Sequence, residues 1–311
     1  MVRSRVVINC PGSLTEVKMY GAILGDMIGS PYEFKMFYPY PNDNFTLLND
    51  DSEFTDDTVL TVAIADALIN ADEFDRKKLP RFTGPSENWI RERVWRWGCA
   101  YPDAGYGGMF LKWLDSHGRE PYYSYGNGSA MRVSSVGWIY DSLKKTQEVA
   151  KETAIITHNH PEGIKGAVAV ASIIWMARNG RSKDEIRKYV AHDLHYYVPE
   201  MKTIYESQVR TNHYSEFEKT ISPEDVSCQK TVPIAISAFL EGDSFEDVIR
   251  KAVCVGGDTD TIAAIAGSMA EAMYDIPEEL KNECRNRLPE SMLKIVDQFE
   301  KIKKERKTNH E

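Results

Sequence analysis

The sequence predicts an all-α protein, because helical periodicity dominates the chain and strand periodicity is almost absent. Apolar residues return every three or four positions in roughly a dozen segments, which is the spacing of a helix face that packs on a core. Strict alternation of apolar and polar residues, the mark of a half-buried strand, is nearly missing. No internal repeat and no linker divides the 311 residues. We therefore expect one compact helical domain.

The expected domain spans residues 19–304. Residues 1–18 have no clear period and are predicted to form an N-terminal extension, and residues 305–311 a frayed tail. Two acidic motifs, described below, come from opposite ends of the span, which also favours a single domain.

Each expected helix rests on its own local pattern. The first begins near Tyr20, ends before Pro31 and carries Gly21, Gly25 and Gly29 on one face, which allows another helix to approach closely. Ser182 and Glu185 form a capping box for a later helix. Apolar spacing predicts the others over residues 58–71, 86–97, 109–116, 146–156, 164–178, 233–240, 245–253, 262–274, 277–288 and 292–304. The loop at 32–50 is a candidate lid or substrate wall.

Composition and charge exclude several classes of protein. The chain is 42% hydrophobic and 27% charged, as soluble globular proteins are. Its formal net charge of −9 argues against general nucleic-acid binding. No apolar stretch is long enough for a membrane span. The five cysteines are scattered, with no CxxC pair, which fits a reducing cytoplasm. We expect a cytoplasmic monomer.

Two acidic clusters each begin an apolar helical run, at residues 53–58 (EFTDDT) and 255–261 (VGGDTDT). Carboxylate and hydroxyl oxygens are the ligands that Mg²⁺, Mn²⁺ and Ca²⁺ prefer. Either cluster alone is an ordinary helix cap. Their recurrence suggests that the two helix starts meet and hold divalent metal between them. The oxygen donors are Thr55, Asp56, Asp57, Asp258, Asp260 and Thr261.

Glu33 follows the glycine-rich helix and a proline turn. Such a residue is usually a solvated loop residue. If the first helix packs on the metal-binding helices, however, Glu33 could bind metal or transfer a proton.

Two polar turns are candidate substrate sites. Residues 123–132 (YSYGNGSAMR) could cradle a phosphate with backbone N–H groups, although Asn-Gly turns are common in plain loops. Arg132 could pair with that phosphate, but a surface salt bridge is its more ordinary role. His158 and His160 have the spacing of a zinc pair. The helical surroundings favour a helix-start turn, with His158 as a hydrogen-bonding group in a pocket.

Five motifs in this order resemble the ADP-ribosylglycohydrolase family, which includes the dinitrogenase-reductase-activating glycohydrolase and ADP-ribosylhydrolases of the ADP-ribosylarginine type. They are residues 25–33 (GDMIGSPYE), 55–58 (TDDT), 126–132 (GNGSAMR), 157–161 (THNHP) and 256–261 (GGDTDT). The resemblance covers residues 19–290.

The resemblance implies an orthogonal helical bundle with two divalent cations, Mg²⁺ or Mn²⁺, between helix N-termini. It implies catalytic roles for Glu33, Asp56 and Asp57. The implied metal ligands are Glu33, Thr55, Asp56, Asp57, Asp258, Asp260 and Thr261. The implied substrate-binding residues are Ser124, Tyr125, Gly126, Asn127, Gly128, Met131 and His158.

The implied function is hydrolysis of the glycosidic bond between ADP-ribose and an acceptor, with ADP-ribosyl-arginine on protein as the first choice. The alternatives are serine-linked ADP-ribose, O-acetyl-ADP-ribose, nucleic-acid-linked ADP-ribose and a non-catalytic ADP-ribose-binding regulator. Residues 258–261 also resemble the DxDxT motif of haloacid-dehalogenase-type phosphatases. That motif needs a buried strand before it, whereas Gly256 and Gly257 interrupt the chain there.

Overall fold

The computed structural model describes residues 14–34, 45–71, 86–211 and 225–305. Almost all regular structure in these ranges is helical, so the all-α prediction is confirmed. The helices are α1 (Tyr20–Gly29), α2 (Asp56–Ile69), α3 (Glu87–Ala100), α4 (Gly108–Asp115), α5 (Gly128–Met131), α6 (Ser134–Ile139), α7 (Leu143–Ile155), α8 (Pro161–Arg178), α9 (Lys183–His192), α10 (Met201–Thr211), α11 (Cys228–Glu241), α12 (Phe245–Val253), α13 (Thr259–Ala270), α14 (Glu278–Arg287) and α15 (Glu290–Glu300).

A short antiparallel ribbon joins the two ends of the described chain. Strand β1 (Leu14–Glu16) pairs with β2 (Lys303–Glu305). The helix predicted over residues 292–304 ends at Glu300 instead, and residues 14–16 of the predicted N-terminal extension form a strand. The cause is that three-residue strands have too little periodicity to be recognised, and each depends on a partner at the far end of the chain. Residues 1–13 and 306–311 lie outside the described residues, as does most of the predicted 32–50 lid.

Several helix boundaries follow the predicted signals. Serine side chains accept a backbone N–H at the starts of α3, α7, α9 and α12, and the capping box at Ser182 is present. α11 differs, because it begins at Cys228 and carries Pro233 inside the helix. Helices α6 and α10 were not predicted. α6 is too short to show a period.

The centre of the fold is formed by α1 and α13, whose residues are all buried. A helix that is surrounded on every side needs apolar or small residues on all its faces. After its first turn, α13 (TDTIAAIAGSMA) consists of such residues. Around this pair pack α2, α8, α11 and α12. Among the described helices, none is both long enough and apolar enough to cross a bilayer.

The close approach predicted for the glycine face of the first helix is confirmed, and its partner is α13. A Cβ atom built on Gly21 would lie 2.3 Å from the carbonyl oxygen of Gly267, and one on Gly25 would lie 2.1 Å from that of Ala263. A Cβ on Gly29 would lie 2.4 Å from the carbonyl oxygen of Thr259. The backbones therefore touch along the whole crossing.

We expect the substitution Gly25→Ala to destabilise the protein by at least about 3 kcal/mol, the upper end of ordinary overpacking, because the new methyl group meets backbone that cannot rotate away. Denaturant unfolding followed by circular dichroism measures this. Gly108→Ala is the matched control, because a Cβ there meets nothing within 4 Å; its effect should stay within about 0.5 kcal/mol. Equal stability of the two variants would contradict the close crossing.

Candidate active site

A cavity of about 410 Å³ lies where the end of α1 meets the starts of α2, α5 and α13. It collects most of the residues that the sequence singled out: Glu33, Asp56, Asp57, Ser124, Gly126, Asn127, Gly128, Met131, His158, Asp258, Asp260 and Thr261. Thr55 and Tyr125, which were also predicted, are not among the lining residues. Arg132 and Phe34, which were not among the predicted site residues, also line the cavity.

The two acidic helix starts meet, as predicted. The Thr261 hydroxyl at the start of α13 donates to Asp57 Oδ2 at the start of α2, at 3.0 Å. Glu33, Asp258 and Asp260 each offer one carboxylate oxygen within 4.8 Å of the other two. Asp56 and Asp57 lie outside this tight trio but line the same cavity. We call these five carboxylates the acidic cluster.

The glycine crossing holds Glu33 beside α13. The Thr259 hydroxyl donates to the carbonyl oxygen of Gly29 at 2.8 Å, and the N–H of Phe34 donates to that of Gly257 at 2.7 Å. Gly256 and Gly257 have φ values of 75° and 71°, which favour glycine. This turn leads the chain into α13 with Asp258 and Asp260 in the cavity.

The helix-cap alternative fails for Asp258. It occupies the N-cap position of α13, but its side chain accepts no capping hydrogen bond. It accepts instead from the Asn127 amide at 2.5 Å, across the cavity. At α2 the capping acceptor is the Thr55 hydroxyl, which leaves Asp56 and Asp57 free of that role.

Asp26 is a site residue that the sequence analysis missed. It is fully buried in α1, and its carboxylate accepts from the N–H groups of Thr55 (2.9 Å) and Thr58 (3.0 Å) and from both threonine hydroxyls. These four hydrogen bonds position the start of α2. Because the Thr55 hydroxyl donates to Asp26 at 2.7 Å, Thr55 lies behind the carboxylates. The sequence did contain a signal for this role, because Asp26 is a charged residue inside the otherwise apolar, glycine-rich helix α1.

The acidic cluster is electrostatically unfavourable without cations. Burial, together with the charges of Asp26, Asp258 and Glu33, raises the pKa of Asp56 to about 8. Burial and neighbouring carboxylates also raise the pKa values of Asp57 and Asp260 well above the usual range. Asp57 Oδ1 is buried and has no hydrogen-bond partner within the described part of the chain. Divalent cations would supply the missing partner and remove the repulsion, so this all-oxygen donor set fits them.

The start of α11 holds the predicted phosphate turn, residues 124–128, which we call the glycine turn. The N–H of Asn127 donates to the carbonyl oxygen of Val226 at 2.8 Å, and the N–H of Cys228 donates to that of Tyr125 at 2.9 Å. The Ser124 hydroxyl accepts from the N–H of Gly126 at 3.0 Å. The Tyr125 side chain is exposed at the rim and contacts the ring of His160 edge-on. His160 itself caps α8, as the helix-start interpretation predicted.

Arg132 and His158 lie beneath the glycine turn. Arg132 is fully buried, so the surface salt bridge expected from the sequence is wrong. Its guanidinium donates to the carbonyl oxygen of Thr153 at 2.9 Å and to the Thr157 hydroxyl at 2.7 Å. Burial and the Arg132 charge hold the pKa of His158 well below its usual range, so the imidazole is neutral.

Comparison with known proteins gives a consistent result. The family model described as ADP-ribosylglycohydrolase matches residues 18–309. ADP-ribosylhydrolase ARH3 of Mus musculus is 27% identical over 327 aligned positions, which cover 85% of each chain. ADP-ribosylarginine hydrolase Tri1 of Pseudomonas putida is 24% identical over 278 positions, covering 83% of this chain and 70% of Tri1.

A solved structure described as an ADP-ribosylglycohydrolase-related protein complex has the same fold. Its TM-score is 0.63 at 22% identity, and the match covers 91% of this chain and 95% of that one.

We expect the metal-free protein to lose stability as pH rises. The folded-state pKa values of the cluster are raised, so its stabilising contribution is complete below the unfolded aspartate pKa of about 4 and is lost as pH rises to about 8, the value for Asp56. Thermal unfolding in EDTA across this range measures the loss. Added Mn²⁺ should raise Tm most at the alkaline end, since protons no longer compete with the metal. A metal effect of equal size at both ends would contradict the cluster as the binding site.

Proposed function

Because this chain belongs to the ADP-ribosylglycohydrolase family, we propose that it hydrolyses the bond between ADP-ribose and an arginine side chain on protein. Family membership makes it a glycosidic-bond hydrolase. The observation that carries the proposal is that one cavity contains both the acidic cluster and the glycine turn. Asn127 connects them, because its N–H lies in the turn while its side chain donates to Asp258.

We propose that two divalent cations, Mg²⁺ or Mn²⁺, are held by the acidic cluster with help from Thr261. Thr55, which the sequence also predicted as a ligand, would support the cluster from behind, because its hydroxyl donates to Asp26. When bound, such cations supply positive charge that orients ribose hydroxyls and acidifies a water. The orphaned Asp57 Oδ1 and the buried, mutually repelling carboxylates support this assignment.

Glu33 is proposed as the group that moves a proton during cleavage. It is only half-buried, whereas Asp258 and Asp260 are buried, so it remains accessible to water and to a leaving group. Cleavage at the ribose C1″ atom passes through an oxocarbenium-like state, and the departing nitrogen or oxygen needs a proton. Asp56 and Asp57 are proposed to act with Glu33 by orienting the ribose and the attacking water.

The remaining lining residues are proposed to bind the ADP-ribose. The glycine turn, from Ser124 to Gly128, would hold the diphosphate, with His158 as a donor and Met131 as an apolar wall. Tyr125, which is exposed at the rim, would contact the ligand only near the cavity mouth. We propose a cytoplasmic location, in line with the cysteine usage, and no general nucleic-acid binding, in line with the net charge of −9. The enzyme is also proposed to be a monomer.

Two observations bear on the acceptor. The Phe34 side chain is 53% exposed, lines the cavity and directly follows Glu33. An exposed aromatic ring beside a carboxylate suits a guanidinium, which stacks on rings and pairs with carboxylates. Tri1 is named as an ADP-ribosylarginine hydrolase, whereas ARH3, which is somewhat more similar to this chain, is named as an ADP-ribosylhydrolase without a stated linkage. O-linked ADP-ribose is therefore the alternative to test.

We expect Glu33→Gln and Asp258→Asn each to slow ADP-ribosyl-peptide hydrolysis by about 100-fold or more, because a positioned proton-transfer group contributes that much and a lost ligand disrupts metal binding. Release of ADP-ribose by chromatography measures the rate. Glu53→Gln, an exposed glutamate outside the cavity, is the matched control and should keep wild-type activity.

Wild-type rates in both site variants would show that the assignment is wrong. Calorimetric binding of ADP-ribose by the wild-type protein without any product release would favour the non-catalytic regulator instead.

The acceptor is tested with arginine-, serine- and nucleic-acid-linked ADP-ribose, each with Mg²⁺, Mn²⁺ or EDTA. We expect the fastest turnover with the arginine linkage, and Phe34→Leu should raise the KM for that substrate about two- to fivefold through loss of ring–guanidinium contact. Tyr197→Leu, at a more exposed ring outside the cavity, is the control. Faster turnover of the serine linkage would overturn the proposed acceptor while leaving the hydrolase assignment intact.

A further inference from the structure

A chain of buried hydrogen bonds runs from Arg132 through Thr157 to His158. Arg132 Nη2 donates to Thr157 Oγ1 at 2.7 Å, and Thr157 Oγ1 lies 2.7 Å from His158 Nδ1. All three side chains are more than nine-tenths buried. Among the described residues, Arg132 Nε and Nη1 have no hydrogen-bond partner, and no carboxylate pairs with this guanidinium.

The direction of these hydrogen bonds follows from the donor inventory. A guanidinium can only donate, so Thr157 Oγ1 must accept from Arg132. Accepting from a cation polarises the hydroxyl and makes it a better donor and a poorer acceptor. The hydroxyl proton therefore goes to His158 Nδ1. A neutral imidazole carries one N–H, so with Nδ1 as acceptor the proton is on Nε2.

His158 Nε2 faces the glycine turn. A Cβ atom built on Gly128 would lie 3.1 Å from Nε2, and one on Gly126 would lie 3.6 Å from it. The two glycines therefore leave the space in front of this nitrogen open to the cavity. Within the part of the chain that the structure describes, Nδ1 is the ring nitrogen with a protein partner.

We propose that Arg132 and Thr157 are positioning residues that hold His158 in the Nε2–H tautomer, so that it offers a donor to the diphosphate on the glycine turn. This inference rests on the proposed function, because it takes ADP-ribose as the ligand. A nitrogen with a lone pair at the same place would repel a phosphate oxygen, so the tautomer decides whether His158 attracts or rejects the ligand.

One competing acceptor for the Thr157 proton is the Tyr122 hydroxyl, which lies near Thr157. If the proton went to Tyr122, His158 Nδ1 would have to carry a proton of its own and Nε2 would become an acceptor. We favour the first assignment because His158 Nδ1 lies 2.7 Å from Thr157 Oγ1 and because a neutral imidazole nitrogen is far more basic, and so a better acceptor, than a phenol oxygen.

The tautomer is measured directly by ¹H–¹⁵N NMR of histidine-labelled protein, with the His158 signal identified by its loss in His158→Gln. We expect an unprotonated Nδ1 and a protonated Nε2 in the wild type and in Thr157→Ser, which keeps the hydroxyl. Thr157→Val should lose this pattern and bind ADP-ribose about tenfold more weakly in calorimetry, the value of one hydrogen bond to a charged group. Rescue by serine separates the hydroxyl from the packing.

Thr153→Val is the matched control, because it removes a buried hydroxyl that donates only to the carbonyl oxygen of Ala150 and keeps the backbone oxygen that Arg132 uses. It should bind ADP-ribose as the wild type does. A protonated Nδ1 in the wild type would overturn the assignment, and wild-type affinity in Thr157→Val would overturn the positioning role. A wild-type protein that binds no ADP-ribose would instead refute the proposed function and the donor role of His158, while the NMR result would still decide the tautomer.

Discussion

The direct backbone-to-backbone contact between α1 and α13 is the constraint on which the rest of the site depends. Gly21, Gly25 and Gly29 place the backbone of α1 directly against the backbone of α13. This contact fixes the position of the end of α1 relative to the start of α13. The hydrogen bonds from Thr259 to Gly29 and from Phe34 to Gly257 then join the two chain segments. Glu33 is delivered to its place among the carboxylates by helix packing rather than by its own loop.

Asp26 extends this arrangement to a third helix. Its carboxylate projects from α1 and accepts hydrogen bonds from the N–H groups at the start of α2. One buried side chain of α1 therefore caps a neighbouring helix. Burial raises the pKa of Asp26 to about 6, although the hydrogen bonds from Thr55 and Thr58 act to lower it. Three helix ends thus converge because α1 carries glycine on one face and a carboxylate on another.

The sequence alone predicted the helical class, the glycine face and the meeting of the acidic motifs, because each leaves a local pattern in the chain. It failed where direction or a distant partner matters. Tyr125 belongs to a recognisable motif, yet its side chain points to the rim, and Arg132 belongs to the same motif but is buried beneath it. Neither orientation is visible in residue spacing. The ribbon between β1 and β2 and the contacts of Asp26 are non-local, so no window of sequence contains both partners.

The uncompensated Arg132 has a further consequence when it is considered together with the acidic cluster. In the metal-free protein the cavity has carboxylates at one end and, beneath the other, a guanidinium that has no carboxylate partner among the described residues, so the two ends differ in electrical potential. A ligand that is itself unevenly charged would be turned by this field before it makes any close contact. Its anionic part would be drawn towards the glycine turn and kept away from the carboxylates. The charges that line the cavity would therefore set the orientation in which the ligand enters, before any bond is cleaved.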